Sequence, residues 1–253
     1  MKLEGINCHV RDSRIRFDEE PHIYYIDGIP YDLSVTGFIK EFSEGFDTEQ
    51  VIARNYSKWQ SNKSHKYFGM SIDNIKDLWE ENRIDAAKKG SILHRDIELF
   101  YNDIDVSNNS KEFQLFLSFF NISKKYTPYR TEWQIFDEEY ELAGSVDMSL
   151  LDKNNNLILI DWKRSKEIRK DTGYNRSMKD PINHIEDANY WHYALQLNMY
   201  KYILEKNYNK IISFMYIIKL HPNQSEYESF HIPDMQKDIK LLLDFKSKLL
   251  EGS

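Results

Sequence analysis

The sequence predicts an α/β protein with a mixed central β-sheet, flanked by helices, and a helical N-terminal part. Three observations carry that expectation. Residues 144–163 (GSVDMSLLDKNNNLILIDWK) read as two apolar strands joined by a turn. Residues 210–220 (KIISFMYIIKL) are apolar on both faces, as a strand inside a sheet is. Around them, amphipathic stretches of helical period recur, so strands and helices share one architecture.

Taken in order, residues 22–36 (HIYYIDGIPYDLSVT) read as a hairpin with Asp27-Gly28 as its turn. Ser34-Val35-Thr36 leads into a short helix bearing Phe38, Ile39 and Phe42, with Ser34 or Thr36 as its cap. Residues 49–68 and 71–89 read as helices; in the second, Ile72, Ile75, Leu78 and Trp79 keep the helical period and Ser71 is placed to cap. The period continues past Gly90 through Leu93, Ile97 and Phe100, so Gly90 is read as permitting close approach of another backbone rather than ending the helix. His94 and Glu98 are four apart and face the same way. A polar linker over 103–110 precedes a Phe-rich amphipathic helix over 111–125. Residues 129–136 alternate and form a strand carrying Glu132. Strands over 142–151 and 157–162 flank the turn-forming Asp152-Lys153-Asn154-Asn155-Asn156. A helix over 186–207, the strand over 210–220 and an amphipathic helix over 234–250 complete the chain. One domain is expected over 1–253, with a hairpin and helical region over 1–89 and a core over 90–253.

Composition narrows the class. With 41% apolar and 14% aromatic residues among 253, the chain is long and apolar enough for a core and is not disordered. The single cysteine, Cys8, excludes an intramolecular disulfide framework and an iron–sulfur cluster held by four cysteines of this chain. No stretch resembles a secretion signal, and no run approaches the roughly 18 apolar residues of a membrane span. The expectation is a soluble, intracellular protein with no membrane partner. The net charge of −7 weakens a chain-wide nucleic-acid reading, but local distribution matters more. Residues 163–179 hold seven bases against two acids, a local excess of +5. Arg164, Lys166, Arg169, Lys170 and Arg176 belong to that excess and are candidate phosphate contacts; a solvated loop is the plain alternative.

Asp147 and the Asp161-Trp162-Lys163 triplet are the chemical centre of the sequence. Two carboxylates at the edge of a hairpin can hold Mg²⁺ or Mn²⁺, which favour oxygen ligands, and the Trp162 carbonyl can add another. Such a metal activates water and absorbs charge on a phosphate. Lys163 shares a strand face with Asp161 and could position the water or neutralise the transition state. On spacing alone, the triplet also fits a hairpin edge with a surface Asp–Lys pair. His94 is a further candidate ligand, and an imidazole shifts preference toward Mn²⁺. Glu132 could bind through water or fix Lys163. Gln196 and Tyr200, four apart on a helix, can both donate to phosphate oxygens. Tyr190, Trp191, His192 and Tyr193 could stack on bases, though such a run more often packs in a core.

Taken together, these residues resemble the PD-(D/E)xK nuclease superfamily. Within it, the chain is similar to the RecB-like group that includes CRISPR-adaptation nucleases and the mitochondrial genome-maintenance exonuclease. The matching pattern is Gly90 with His94 and Glu98, Glu132, Gly144-Ser145-Val146-Asp147, Asp161-Trp162-Lys163, then Gln196 with Tyr200, in the family's order. Val146 stands where the superfamily name has Pro, a position that varies. The region from His22 to Phe46 also resembles N-terminal segments of phage and viral members, with Ser34 and Thr36 as candidate nucleic-acid contacts. The resemblance implies a restriction-endonuclease-like core with a single nuclease domain. It implies His94, Asp147, Asp161 and the Trp162 carbonyl as metal ligands and Lys163 as the catalytic lysine. Gln196 and Tyr200 would lie near DNA and the catalytic residues, with Glu132 as a supporting acid. Lacking the four cysteines of many relatives, the chain is nearer the cluster-free exonucleases. The activity implied is metal-dependent hydrolysis of DNA, on single strands or free ends. A structure-specific or double-strand endonuclease and a noncatalytic DNA-binding module are the alternatives.

Overall fold

The hairpin between Leu142 and Lys163 is the centre on which the sheet is built. Leu157 to Trp162 are buried without interruption, so this strand is covered on both faces. The turn follows from its sequence. The Asp152 carboxylate accepts from the Asn154 and Asn156 amides at 2.7 and 2.9 Å, and Asn155 takes a left-handed φ of 61°. The structure, a computed structural model, describes residues 2–173 and 176–251. Tyr174 and Asn175 of the basic segment lie outside the described residues, as do Met1, Gly252 and Ser253.

The chain begins with α1 (Leu3–Ile6), followed by β1 (Ile15–Asp18), β2 (Ile23–Ile26), β3 (Ile29–Tyr31), β4 (Leu33–Ser34) and α2 (Val35–Glu41). Helices α3 (Thr48–Ser61), α4 (Ile72–Tyr101) and α5 (Lys111–Ser123) come next. Then follow β5 (Thr127–Asp137), β6 (Leu142–Leu151), β7 (Leu157–Lys163), α6 (Asn189–Asn207), β8 (Ile212–Lys219), β9 (Glu228–His231) and α7 (Gln236–Glu251). The main sheet runs β4-β6-β7-β8-β9, with β5 paired to β6. It is mixed: β4–β6 and β7–β8 are parallel, and the other pairs are antiparallel. Strands β1, β2 and β3 form a separate antiparallel sheet that turns at Asp27-Gly28, both left-handed as such a two-residue turn requires. The α/β class, the mixed sheet with its helices and the mixed N-terminal region agree with the sequence expectation.

Two compact units divide the chain: Met1–Glu44 with Leu93–Ser253, and Gly45–Ile92. The first contains the whole main sheet and, among its cores, two that cover that sheet. Trp133, Val146, Leu159 and Ile217 pack with α2, α6 and α7 residues such as Phe38, Leu195 and Leu242. Met148, Ile158, Ile160 and Trp162 pack with Leu93 and Ile97 of α4 and Phe113 and Phe116 of α5. The second unit has its own small core of Ile52, Tyr67 and Ile75. There the Gln60 carboxamide donates to the Tyr67 and Met70 carbonyls and accepts from the Gly69 amide, holding the connection between α3 and α4.

Some elements differ from expectation. α3 stops at Ser61, because the Gln60-anchored loop, not a further helical turn, satisfies residues 67–70. α4 runs unbroken through Gly90, as its period requires, but nothing lies within 4 Å of a Cβ built there. Gly90 therefore marks no close backbone approach. Strands β1, β4 and β9 escape sequence reading because they are short and lack buried alternation.

Candidate metal centre

The sheet opens at Asp147. Strand β5 occupies one edge of β6 along its length, so β4 and β7 share the other. On that edge Leu142 and Ala143 pair with β4, and Met148 to Leu151 pair with β7. Gly144 to Asp147 face no strand there. The Asp147 side chain takes over from the ladder: its Oδ2 accepts from the Trp162 amide at 2.8 Å. Strand β6 also rolls over at this point. Strict alternation would put Val146, Met148 and Leu150 on one face. Instead Val146 joins the α6-side core, while Met148 and Leu150 join the α4–α5 core.

Glu132 stands opposite Asp147, between the paired Thr131–Met148 and Trp133–Val146. Its φ is 42°, a left-handed torsion inside a strand. Such a conformation costs a non-glycine residue about 1–3 kcal/mol, and it is retained here beside a cluster of charged side chains. From α4, the His94 Nε2 lies 2.9 Å from the Trp162 carbonyl oxygen. A carbonyl only accepts, so Nε2 carries the proton and Nδ1 faces the acids. Nδ1 lies 3.5 Å from Asp147 Oδ2 and 3.6 Å from Glu132 Oε1. These separations exceed hydrogen-bond length.

The three groups could hold a divalent metal ion: their ligand atoms all lie within 4.8 Å of one another. Around an ion with bonds of about 2.1 Å, neighbouring ligand atoms stand about 3.0–4.2 Å apart, and the two Nδ1 distances fall in that interval. The His94 contact to a backbone carbonyl through its other nitrogen is the usual orienting device of a ligating imidazole. Burial alone would lower the His94 pKa, but Asp147 and Glu132 outweigh it and lift the imidazole to about 9. Burial, with Glu132 nearby, pushes the Asp147 carboxyl up. A buried carboxylate held beside another acid is chemically suited to a cation.

Asp161 and Lys163 approach from the opposite face of the sheet. They alternate with Ile160 and Trp162, which belong to the α4–α5 core. Asp161 Oδ1 accepts from Lys163 Nζ at 2.8 Å and from Gln196 Nε2 at 3.1 Å. Nζ also lies 2.7 Å from Oδ2, an ion pair outside hydrogen-bond geometry, and among the described residues that buried oxygen has no hydrogen-bond donor. Burial raises the Asp161 carboxyl, against Lys163. Burial would lower the Lys163 ammonium, but Asp161 and Asp147 raise it, fixing a positive charge beside the acids. The Tyr193 ring centroid is 4.8 Å from Nζ. Gln196 Nε2 also donates to Tyr200 Oη at 3.3 Å. Tyr200 lies against Gly144 so closely that a Cβ there would be 2.6 Å from its Cε1. Only glycine leaves room for that ring.

The structure thus gathers His94, Glu132, Asp147, Asp161, Lys163, Gln196 and Tyr200 around the split in the sheet. Among the described residues Glu132, rather than Asp161, joins His94 and Asp147 in the trio whose ligand atoms lie within 4.8 Å of one another, and the Trp162 carbonyl is engaged by His94. The candidate nucleic-acid residues are dispersed. Ser34 caps α2, its Oγ accepting from the Gly37 amide at 3.0 Å. Thr36 is exposed, in the first turn of α2. Arg164 pairs with Glu112 at 2.7 Å, Arg169 with Glu167, and Arg176 with Glu44 at 3.1 Å and Asp187 at 3.4 Å. Lys170 lies over the Tyr190 ring, and Lys166 is exposed.

No protein-family model matches the sequence, and no curated protein matches it. Among solved structures, the chain is similar to a protein from Eubacterium rectale named "Putative exonuclease". The identity is 16% and the TM-score 0.42, over 87% of this chain and 80% of that one. It is also similar to the protein SSO0001, at 13% identity and a TM-score of 0.32, over 99% of this chain and 83% of that one. Both likenesses are distant. Among the described residues, no helix is long and apolar enough to cross a membrane.

Proposed function

We propose that this chain is a metal-dependent deoxyribonuclease of the PD-(D/E)xK, RecB-like kind, acting on single-stranded DNA or DNA ends with Mg²⁺ or Mn²⁺. The observation that carries this reading is the split at Asp147, which brings the His94–Glu132–Asp147 trio up to the buried Asp161–Lys163 pair. His94, Glu132 and Asp147 would hold the cation, with Asp161 Oδ2 as a further candidate ligand, while the Trp162 carbonyl orients His94 through its other nitrogen. An imidazole among oxygen ligands suits Mn²⁺. Such a cation, when bound, makes water more acidic and offsets charge on a phosphate.

The protein's own groups supply the rest. Lys163, fixed by Asp161 and the Tyr193 ring, places a positive charge beside the reacting phosphate. Gln196 holds Asp161 and is itself held by packing of Tyr200 on Gly144. In the reaction, a water oxygen bonds to phosphorus and the P–O3′ bond breaks. The water loses a proton, the departing 3′ oxygen gains one, and the products are a 5′-phosphate and a 3′-hydroxyl.

The test uses end-labelled linear single-stranded DNA and matched covalently closed circular DNA, with Mn²⁺, Mg²⁺ or EDTA. The expected outcome is metal-dependent loss of the linear substrate alone, abolished by Lys163→Ala. Cutting of the circle would reassign the chain to the endonucleases. Failure to cut either, or equal cutting by Lys163→Ala, would remove the catalytic reading of this site.

A further inference from the structure

Tyr24 lies on β2, in the small N-terminal sheet, and is only 6% exposed. It packs with Phe136 and Ala143, residues paired across β5 and β6, and its ring centroid is 4.5 Å from that of Phe17. Among the described residues its hydroxyl has no hydrogen-bond partner, yet that oxygen is not one of the sealed, unpartnered atoms of the interior. A phenol held almost wholly out of water normally finds a partner for its O–H. Here the apolar ring is fixed and the polar tip is left for something outside the chain.

The strand register relates the residues under Tyr24 to the candidate metal ligands. Side chains two apart along a strand share a face. From Phe136–Ala143, the next pair is Gln134–Ser145, and Glu132 then stands opposite Asp147. Ser145 Oγ donates to Glu132 Oε2 at 3.1 Å, so this row is continuous up to the candidate metal ligands. Tyr24 packs on one end of the row, and the metal-binding trio occupies the other. Burial, Glu132 and Asp147, in that order, raise the Tyr24 hydroxyl far above its ordinary pKa. Tyr24 in turn acts on Tyr200, whose ring rests against Gly144, the neighbour of Ala143. Tyr24 is therefore a neutral donor at the working pH of any phosphodiesterase, fixed by its ring beside the site.

We propose that the Tyr24 hydroxyl is a substrate-binding group that donates a hydrogen bond to a non-bridging oxygen of a nucleotide phosphate at the His94–Glu132–Asp147 centre. This rests on the nuclease reading of that centre, and it assigns the N-terminal sheet a role in substrate recognition. A phosphate oxygen is the fitting acceptor because it is anionic, whereas Glu132 and Asp147 are committed to the cation and to Ser145 and the Trp162 amide.

The test compares wild type with Tyr24→Phe, which keeps the ring and removes only the hydroxyl. Thymidine 5′-monophosphate is titrated into the Mn²⁺-loaded protein by calorimetry, after separate titration of Mn²⁺ alone. Loss of a hydrogen bond to a charged oxygen predicts at least a roughly tenfold weaker nucleotide affinity, with unchanged Mn²⁺ affinity and an unchanged or higher melting temperature. Equal nucleotide affinity in the two proteins would overturn the proposal, as would absence of nucleotide binding by wild type. A parallel fall in Mn²⁺ affinity or melting temperature would also overturn it, by making Tyr24 a support of the metal site or of the fold. This readout needs no turnover, so its failure is distinguishable from failure of the protein to cleave DNA.

Discussion

A left-handed torsion at Glu132 and a missing Cβ at Gly144 both shape the site. The first places a carboxylate in the ligand trio, and the second admits the Tyr200 ring that supports Gln196 and, through it, Asp161. Glycine is required at 144 for space, not for backbone freedom. Gly90 offers a contrast, since it lies in the interior of α4 with nothing within 4 Å of a Cβ built there. The two alanine substitutions should therefore act with opposite signs. Gly144→Ala forces a methyl to 2.6 Å from Tyr200 Cε1 and should cost about 1–3 kcal/mol, the range for overpacking a tight interior. It should also reduce metal-dependent cleavage, because displacement of Tyr200 loosens the Gln196 contact to Asp161. Gly90→Ala should stabilise by about 0.5–1 kcal/mol, the gain from replacing a mid-helix glycine. Urea unfolding of both variants decides the matter, and a Gly144→Ala protein as stable and active as wild type would show that Tyr200 yields without consequence.

At the scale of elements, legibility followed burial. The β6–β7 hairpin could be read because its strands are apolar and its turn is built from Asp and Asn, whose side chains satisfy the turn amides. Strand β9 could not, since three of its four residues are exposed. The residues of the site were visible as an ordered motif, but the grouping of Glu132 with His94 and Asp147 depends on a backbone torsion that no local pattern announces. In the basic run after Lys163, sequence shows charges but not their partners: Arg164 and Arg176 pair with acids distant in the chain. Another distant pairing anchors the N-terminal segment to β5. Arg130, 4% exposed, donates to Asp12 Oδ2 at 2.7 Å, and Trp133 Nε1 donates to Asp12 Oδ1 at 3.0 Å. Burial would raise the Asp12 pKa, but the bonds from Arg130, the His9 amide and Trp133 outweigh it and hold the carboxyl below its ordinary 3.8. A carboxyl depressed in the folded state stabilises the protein above its unfolded pKa, and that contribution fades as pH falls through the folded value. Asp12→Asn should thus cost about 3–5 kcal/mol at neutral pH by leaving Arg130 buried without its counter-charge. The gap in melting temperature between the two proteins should narrow as pH is lowered below 3.8. A gap that is constant with pH would assign the effect to packing instead.

For the molecule as a whole, the candidate metal centre sets stability against the proposed function. Asp147 shows the opposite linkage to Asp12: burial raises its carboxyl, so the folded protein binds a proton more readily there than the unfolded chain does. Above the unfolded pKa, ionised Asp147 therefore weakens the fold, and a cation in the trio offsets that cost. A ligand present at about 100 times its dissociation constant stabilises the native state by about 2.7 kcal/mol. For a protein of this size each kcal/mol moves the melting temperature by about 2–4 °C, so saturating Mn²⁺ should raise it by about 5–10 °C. Asp147→Asn tests both halves of the linkage. The amide oxygen can still accept from the Trp162 amide, which preserves the local backbone, while the buried negative charge is removed. With EDTA near neutral pH, Asp147→Asn should melt at or above the temperature of wild type. In Mn²⁺ it should gain little, and cleavage should be lost with the ligand. Calorimetric melting of both proteins with EDTA and with Mn²⁺ reads the two effects separately. If the variant melts well below wild type in EDTA and still gains 5–10 °C with Mn²⁺, then Asp147 is a structural acid and the cation binds elsewhere. If the variant is stable but unresponsive to metal, the strain of keeping paired acids buried is there to hold the ion.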